Sequence, residues 1–111
     1  FVFDCRFLRN PHWPPDLRGK TGKDRDVEEY IDEDPLFEDY FQKILGMMDM
    51  LLPATQKEGR AHVTIGIGCT GGKHRSVAMT EKLGKTLAQR NWQVSIRHRE
   101  LERRASGAVY Q

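Results

Sequence analysis

An α/β domain with a mainly parallel sheet is what this sequence predicts, and three observations carry the prediction. The stretch Val63-Thr-Ile-Gly-Ile-Gly-Cys-Thr-Gly-Gly-Lys-His-Arg-Ser76 runs from apolar β-branched residues through a glycine-rich turn to a cationic cluster. It feeds a segment with Val77, Thr80, Leu83 and Leu87 at helical spacing. Apolar runs at residues 1–7 and 92–97 supply further strands, and the order strand, helices, strand, helix, strand is that of an α/β unit with right-handed crossovers. The expected architecture is one small three-layer domain over residues 1–111, with a glycine-rich anion-binding loop at a helix N-terminus.

Taken in order, Phe1 to Phe7 reads as a buried strand with Phe3, Cys5 and Phe7 on one face and Asp4 and Arg6 on the other. Charges in an apolar strand are costly unless used or paired. Two readings follow. Either Asp4 accepts an amine or sugar hydroxyl and Arg6 meets a phosphate or carboxylate, at the sheet edge where open α/β folds place ligands, or the two bridge each other. Residues 8–24 carry Pro11, Pro14, Pro15, Gly19 and Gly22, a density of breakers that makes an ordered loop. His12 and Trp13 sit between its prolines, placed for a ligand or, for Trp13, as a hydrophobic anchor. Asp26 to Asp32 predicts a short helix. Pro35 to Leu52 predicts a longer one, with Phe37, Phe41, Ile44, Met48 and Leu51 on its core face and Pro53 marking its exit. Ala54 to Arg60 is a polar connection, and a second strand runs from His62 to Ile67. After a helix from Ser76 to Gln89, the alternation of Trp92, Val94 and Ile96 against Gln93, Ser95 and Arg97 predicts a third strand.

Composition narrows the class. A chain of 111 residues supports one core. It starts inside an apparent strand without methionine, which reads as a fragment of a longer protein. No apolar run is long enough to cross a bilayer and no signal-peptide pattern is present. Cys5 and Cys69 sit in or beside strands rather than in a disulfide framework, which fits a reduced cytoplasm. Eighteen basic and 16 acidic residues leave a net charge of +2, too small to attract polyanions through the total. The acids concentrate between Asp24 and Asp49, whereas Arg97 to Arg104 holds four arginines and His98 against two glutamates. That basic end, with Arg99, Arg103 and Arg104, is either an RNA contact or a solvated helix with Glu100 and Arg104 paired at i, i+4.

Three phosphate motifs bear on the central loop. A Walker A sequence needs glycine six places before its lysine and Ser or Thr after it, where Ile67 and His74 stand. The dinucleotide pattern fits Gly66, Gly68 and Gly71 but lacks the acidic residue some 20 positions on that follows a second strand. The pattern C-x-x-G-x-x-R-[ST] is met in full by Cys69, Gly72, Arg75 and Ser76. Its chemistry is coherent, since a cysteine at a helix N-terminus beside Lys73, His74 and Arg75 gains thiolate character and Arg75 can grip two phosphate oxygens. A phosphatase of this type also needs a carboxylic acid for its leaving group, and its cysteine usually follows a histidine; here Gly68 precedes Cys69. The alternative is a cysteine that only fills space at the strand end.

The segment Gly68-Cys-Thr-Gly-Gly-Lys-His-Arg-Ser-Val77 has Phe3-Asp-Cys-Arg-Phe-Leu-Arg-Asn-Pro-His-Trp13 and Leu17-Arg-Gly-Lys-Thr-Gly22 upstream, and Arg97-His-Arg-Glu-Leu-Glu102 after it. Together these resemble the C-terminal domain of the RapZ family, bacterial proteins also described as nucleotide-binding P-loop proteins. The resemblance covers nearly the whole chain in order. It implies a sensor for glucosamine-6-phosphate or a UDP-amino sugar, and in the best-known members an RNA-binding adapter that presents a small regulatory RNA to an endoribonuclease. It also implies that ATP or GTP binds a separate N-terminal domain, so that no cofactor is expected here. The ligand-site residues expected on this reading are Asp4, Arg6, His12, Cys69, Thr70, Gly71, Gly72, Lys73, His74, Arg75, Arg97 and His98, with no metal. Expected partners are the sugar phosphate or nucleotide sugar, the RNA, the endoribonuclease and further copies of the chain, and no membrane. A binding domain is thus expected rather than an enzyme; the enzymatic alternative is a cysteine-dependent phosphatase using Cys69 and Arg75, and a third class is a structural oligomerisation domain.

Overall fold

A computed structural model of the chain describes residues 1–105. Two short strands, β1 (Val2–Asp4) and β2 (Gly66–Gly68), pair in parallel with Val2 opposite Gly66 and Asp4 opposite Gly68. Around them stand α1 (Pro15–Arg18), α2 (Arg25–Asp32), α3 (Pro35–Lys57), α4 (Arg75–Gln89) and α5 (Arg99–Ala105). The mixed α/β class and the parallel sheet agree with the sequence reading. The sheet is smaller than expected.

Helix α3 is the longest element. Asp34 caps it, its carboxylate accepting the Leu36 amide at 3.0 Å, and Pro35 occupies the first turn, where its missing N–H costs nothing. The stripe Phe37, Phe41, Ile44, Leu45, Met48 and Leu52 is buried. It packs with Val27 and Ile31 of α2 and with Ala78, Met79, Leu83 and Leu87 of α4 to form the core. Lys82 of α4 bridges the helices: its Nζ pairs with Glu38 at 2.5 Å and lies 4.5 Å from the centre of the Phe41 ring. Among the described residues, no helix is long and apolar enough to cross a membrane.

Several elements differ from expectation: the strand expected over Phe1 to Phe7 is only Val2–Asp4 and is largely exposed, that over His62 to Ile67 is Gly66–Gly68, and the short helix Pro15–Arg18 lies in the stretch expected to be loop. Pro53 does not end α3, which continues to Lys57. A proline removes one ladder bond, and the burial of Leu52 holds the turn in place. Residues 92–97 form no strand, and the described sheet has two strands rather than three. The segment lies across α4 at Gly84, where an added Cβ would come within 2.5 Å of Ile96 Cδ1 and 3.6 Å of Val94 Cγ1. Its alternation therefore identifies which side chains face the helix, not a ladder partner.

Candidate functional site

The site is built where β2 hands the chain to α4. Residues 69–74 turn through Gly71 and Gly72, whose φ angles of +82° and +63° lie in the left-handed region that favours glycine. Thr70 and Gly71 form the exposed outer part of this turn. At its start, the Ser76 amide donates to Cys69 Sγ at 3.3 Å and the Cys69 thiol lies 3.1 Å from Ser76 Oγ. At its end, Arg75 opens α4 and is only 4% exposed. Its Nη1 donates to the carbonyls of Arg6 at 2.5 Å and Leu8 at 3.2 Å, so the guanidinium lies beside the exit of β1.

Arg75 makes no ion pair among the described residues; its hydrogen bonds there run through Nη1 alone, and it leaves no buried polar atom without a partner. The carboxylate that bears on it electrostatically, Asp4, is committed elsewhere: Arg6 grips both of its oxygens, at 2.6 Å through Nη2, and holds the Asp4 carboxyl below the usual range. A buried cation without a bonded counter-charge is costly unless something supplies one. His74 is the second unusual group. Its ring is buried, and Nε2 has no hydrogen-bond partner. Burial, followed by the nearby charge of Lys73, lowers its pKa below the ordinary imidazole value.

The proline-rich loop closes over this turn. Lys73 Nζ donates to the Arg18 carbonyl at 2.8 Å, and the Gly22 amide donates to the Lys73 carbonyl at 2.9 Å. Gly22 sits so close to the start of α4 that an added Cβ would fall 2.3 Å from the His74 carbonyl oxygen. On another side α5 abuts the turn, with Glu100 Cβ 3.1 Å from where a Gly72 Cβ would stand.

The expected ligand residues fall into separate groups. Cys69, Gly71, Gly72, Arg97 and His98 line one groove together with Glu100. Asp4 and Arg6 are not on it and are spent on each other, so the convergence of Asp4 and Arg6 with that set does not occur. Arg97 pairs with Glu102 at 2.8 Å, and His98 turns its ring towards Glu81 of α4 at 3.1 Å. His12 is exposed in the loop, near enough to His74 to act on it electrostatically. Of the three basic residues expected to meet RNA, Arg99 is exposed, while Arg103 and Arg104 both bond Glu100, whose pKa they help lower to about 2. The Glu100–Arg104 pair at i, i+4, one of the two readings of the basic end, is present, whereas sequence reasoning missed the roles of Arg18, Gly22 and Glu81. Of these Gly22 left a signal, a glycine after a proline-rich stretch, and nothing in the letters shows what it packs against.

A parallel strand pair whose glycine turn delivers a thiol, a buried imidazole and a buried guanidinium to the start of a helix defines a small α/β domain organised around a strand, loop and helix unit. Comparison with known proteins gives the family: the chain belongs to the RapZ C-terminal domain family, whose model matches residues 1–102. A nucleotide-binding protein of Cereibacter sphaeroides is 56% identical over 108 residues, covering 97% of this chain and 36% of that protein. One of Ruegeria pomeroyi is 54% identical over 107 residues, covering 96% and 38%, and one of Jannaschia sp. is 52% identical over 105 residues, covering 95% and 33%. The chain thus spans about a third of the length of these curated relatives.

Proposed function

We propose that this domain is a sensory binding module for a phosphorylated amino sugar, glucosamine-6-phosphate or a UDP-amino sugar. The observation that carries the reading is the buried Arg75 guanidinium without an ion-pair partner at the first turn of α4. A phosphate there would supply the missing counter-charge, aided by the positive end of the helix, the turn's backbone amides and Lys73. The unpartnered Nε2 of His74 offers a further contact to a phosphate or hydroxyl oxygen. The relatives' shared name, nucleotide-binding protein, is compatible with a nucleotide sugar. In the full-length protein, we place ATP or GTP in a separate domain and the coupling to small-RNA binding and decay in a cytoplasmic oligomer.

A cysteine-dependent phosphatase is the second reading, favoured by the Ser76 amide donating to Cys69 Sγ at the start of the turn that Arg75 closes. One series of measurements decides. Glucosamine-6-phosphate at a hundred times its Kd should raise unfolding stability by about 2.7 kcal/mol, and Lys73→Ala should weaken binding by roughly 1.5–3 kcal/mol, the range for a bond to a charged group. Cys69→Ser should retain binding. Absence of a stability shift with every sugar phosphate and nucleotide sugar overturns the sensor; turnover abolished by Cys69→Ser establishes the phosphatase instead. Arg75→Ala is a poorer probe than the motif suggests, because the side chain also ties down the Arg6 and Leu8 carbonyls.

A further inference from the structure

Trp13 is 72% exposed, although the loop that carries it is tightly held. Pro11 is fully buried on one side of it and Leu17 is buried on the other. The Trp13 amide donates to the Asn10 carbonyl at 3.3 Å, and Asn10 Oδ1 accepts the His12 amide at 3.0 Å. Arg18 Nε donates to the His12 carbonyl at 2.7 Å and its Nη2 to the Trp13 carbonyl at 3.4 Å. The same Arg18 offers its own carbonyl to Lys73 Nζ, which fixes this part of the loop to the glycine turn. The indole edge meets the His12 ring, with 5.8 Å between centroids. Trp13 is not part of the hydrophobic core, so it is no anchor.

An indole that is exposed yet held by a rigid backbone is pre-organised for contact, because its backbone ordering is complete before any partner arrives. We propose that Trp13 is the stacking platform for the pyranose ring of the ligand: its aromatic face covers the apolar C–H face of the sugar while the phosphate sits at the turn near Arg75. This rests on the sugar-phosphate reading above and adds to it a residue that separates a sugar phosphate from a bare phosphate. The turn recognises the charge that both ligands share, and the indole recognises only the ring.

Calorimetry with two probes, glucosamine-6-phosphate and inorganic phosphate, tests this on the parent chain, Trp13→Ala and Trp13→Phe. Trp13→Ala should weaken the sugar phosphate roughly three- to tenfold, as expected for the loss of an aromatic face, and leave inorganic phosphate unchanged. Trp13→Phe should keep most of the sugar-phosphate affinity. Matching thermal midpoints of the three proteins check that an exposed side chain has been removed without harm to the fold. Equal sugar-phosphate affinity in parent and Trp13→Ala, or an equal loss for both probes, overturns the platform and leaves the sensor intact. A parent that binds neither probe overturns the sensor itself, and the platform with it.

Discussion

His74 and Arg75 are neighbours in the chain with opposite responses to burial. A guanidinium stays charged when buried, so Arg75 takes two carbonyls through Nη1. An imidazole can lose its proton instead, and burial with Lys73 nearby lowers the pKa of His74. The sign of the resulting linkage is fixed. Because the unfolded chain binds the proton more readily than the folded one, stability is unaffected by this group above the ordinary imidazole pKa of about 6.5 and declines as pH falls below it. Urea unfolding between pH 7.5 and 5 should show that decline, and His74→Asn should flatten it. The same slope in both proteins would mean that another group is responsible. The carboxylates Asp4, Asp26, Glu38, Glu100 and Glu102 have lowered pKa values, so they stabilise above the usual carboxylate range and lose that effect at more acid pH, in a separate window.

At the scale of elements, the position of the turn depends on how the proline-rich loop seats against α4. Gly22 is the contact point: its amide bonds the Lys73 carbonyl, and backbone atoms of His74 and Ala78 occupy the space a side chain would need. Backbone cannot swing aside as a flexible side chain can, so Gly22→Ala should destabilise by about 1–3 kcal/mol or more, the cost of overpacking. It should also weaken ligand binding by displacing Lys73. Urea unfolding gives the first effect and calorimetry the second; an unperturbed stability would show that the loop and helix are not in contact in solution. Gly84 is a second point of close approach, where α4 receives Ile96. Together the two glycines explain how one helix is covered by the proline-rich loop at its start and by residues 92–97 further along.

For the molecule as a whole, the charge distribution limits what the basic end can do. Glu100 engages both Arg103 and Arg104, and Glu102 engages Arg97. A surface on which Arg97, Arg103 and Arg104 are already paired and Arg99 stands exposed neutralises few phosphates, so RNA affinity should be weak at physiological salt and its salt slope shallow. Arg103→Ala combined with Arg104→Ala should remove the RNA binding that exists and leave sugar-phosphate affinity unchanged, since the sugar-phosphate site proposed above is at the turn. A filter-binding assay across a salt series checks this; tight, salt-insensitive binding would place the nucleic-acid surface elsewhere. Association of several copies would multiply such weak patches through effective concentration.

The sequence by itself determined helices α2, α3 and α4, their buried stripe and the step from a strand through a turn into α4, but not the short α1 inside the proline-rich stretch. Periodicity at Phe37, Phe41, Ile44 and Met48 reports burial directly, and glycines before a cationic cluster mark a turn. It also held the family, through motifs spread along the chain. Only the tertiary structure decided what the polar groups meet. Asp4 and Arg6 could serve a ligand or each other, and the bend after β1 brings their side chains together. Residues 92–97 alternate like a strand, yet Gly84 leaves room on α4 that their apolar side chains fill. That Arg75 has no ion-pair partner and His74 Nε2 no hydrogen bond among the described residues is likewise invisible in the letters, because pairing is set by elements far apart in sequence that meet only on folding.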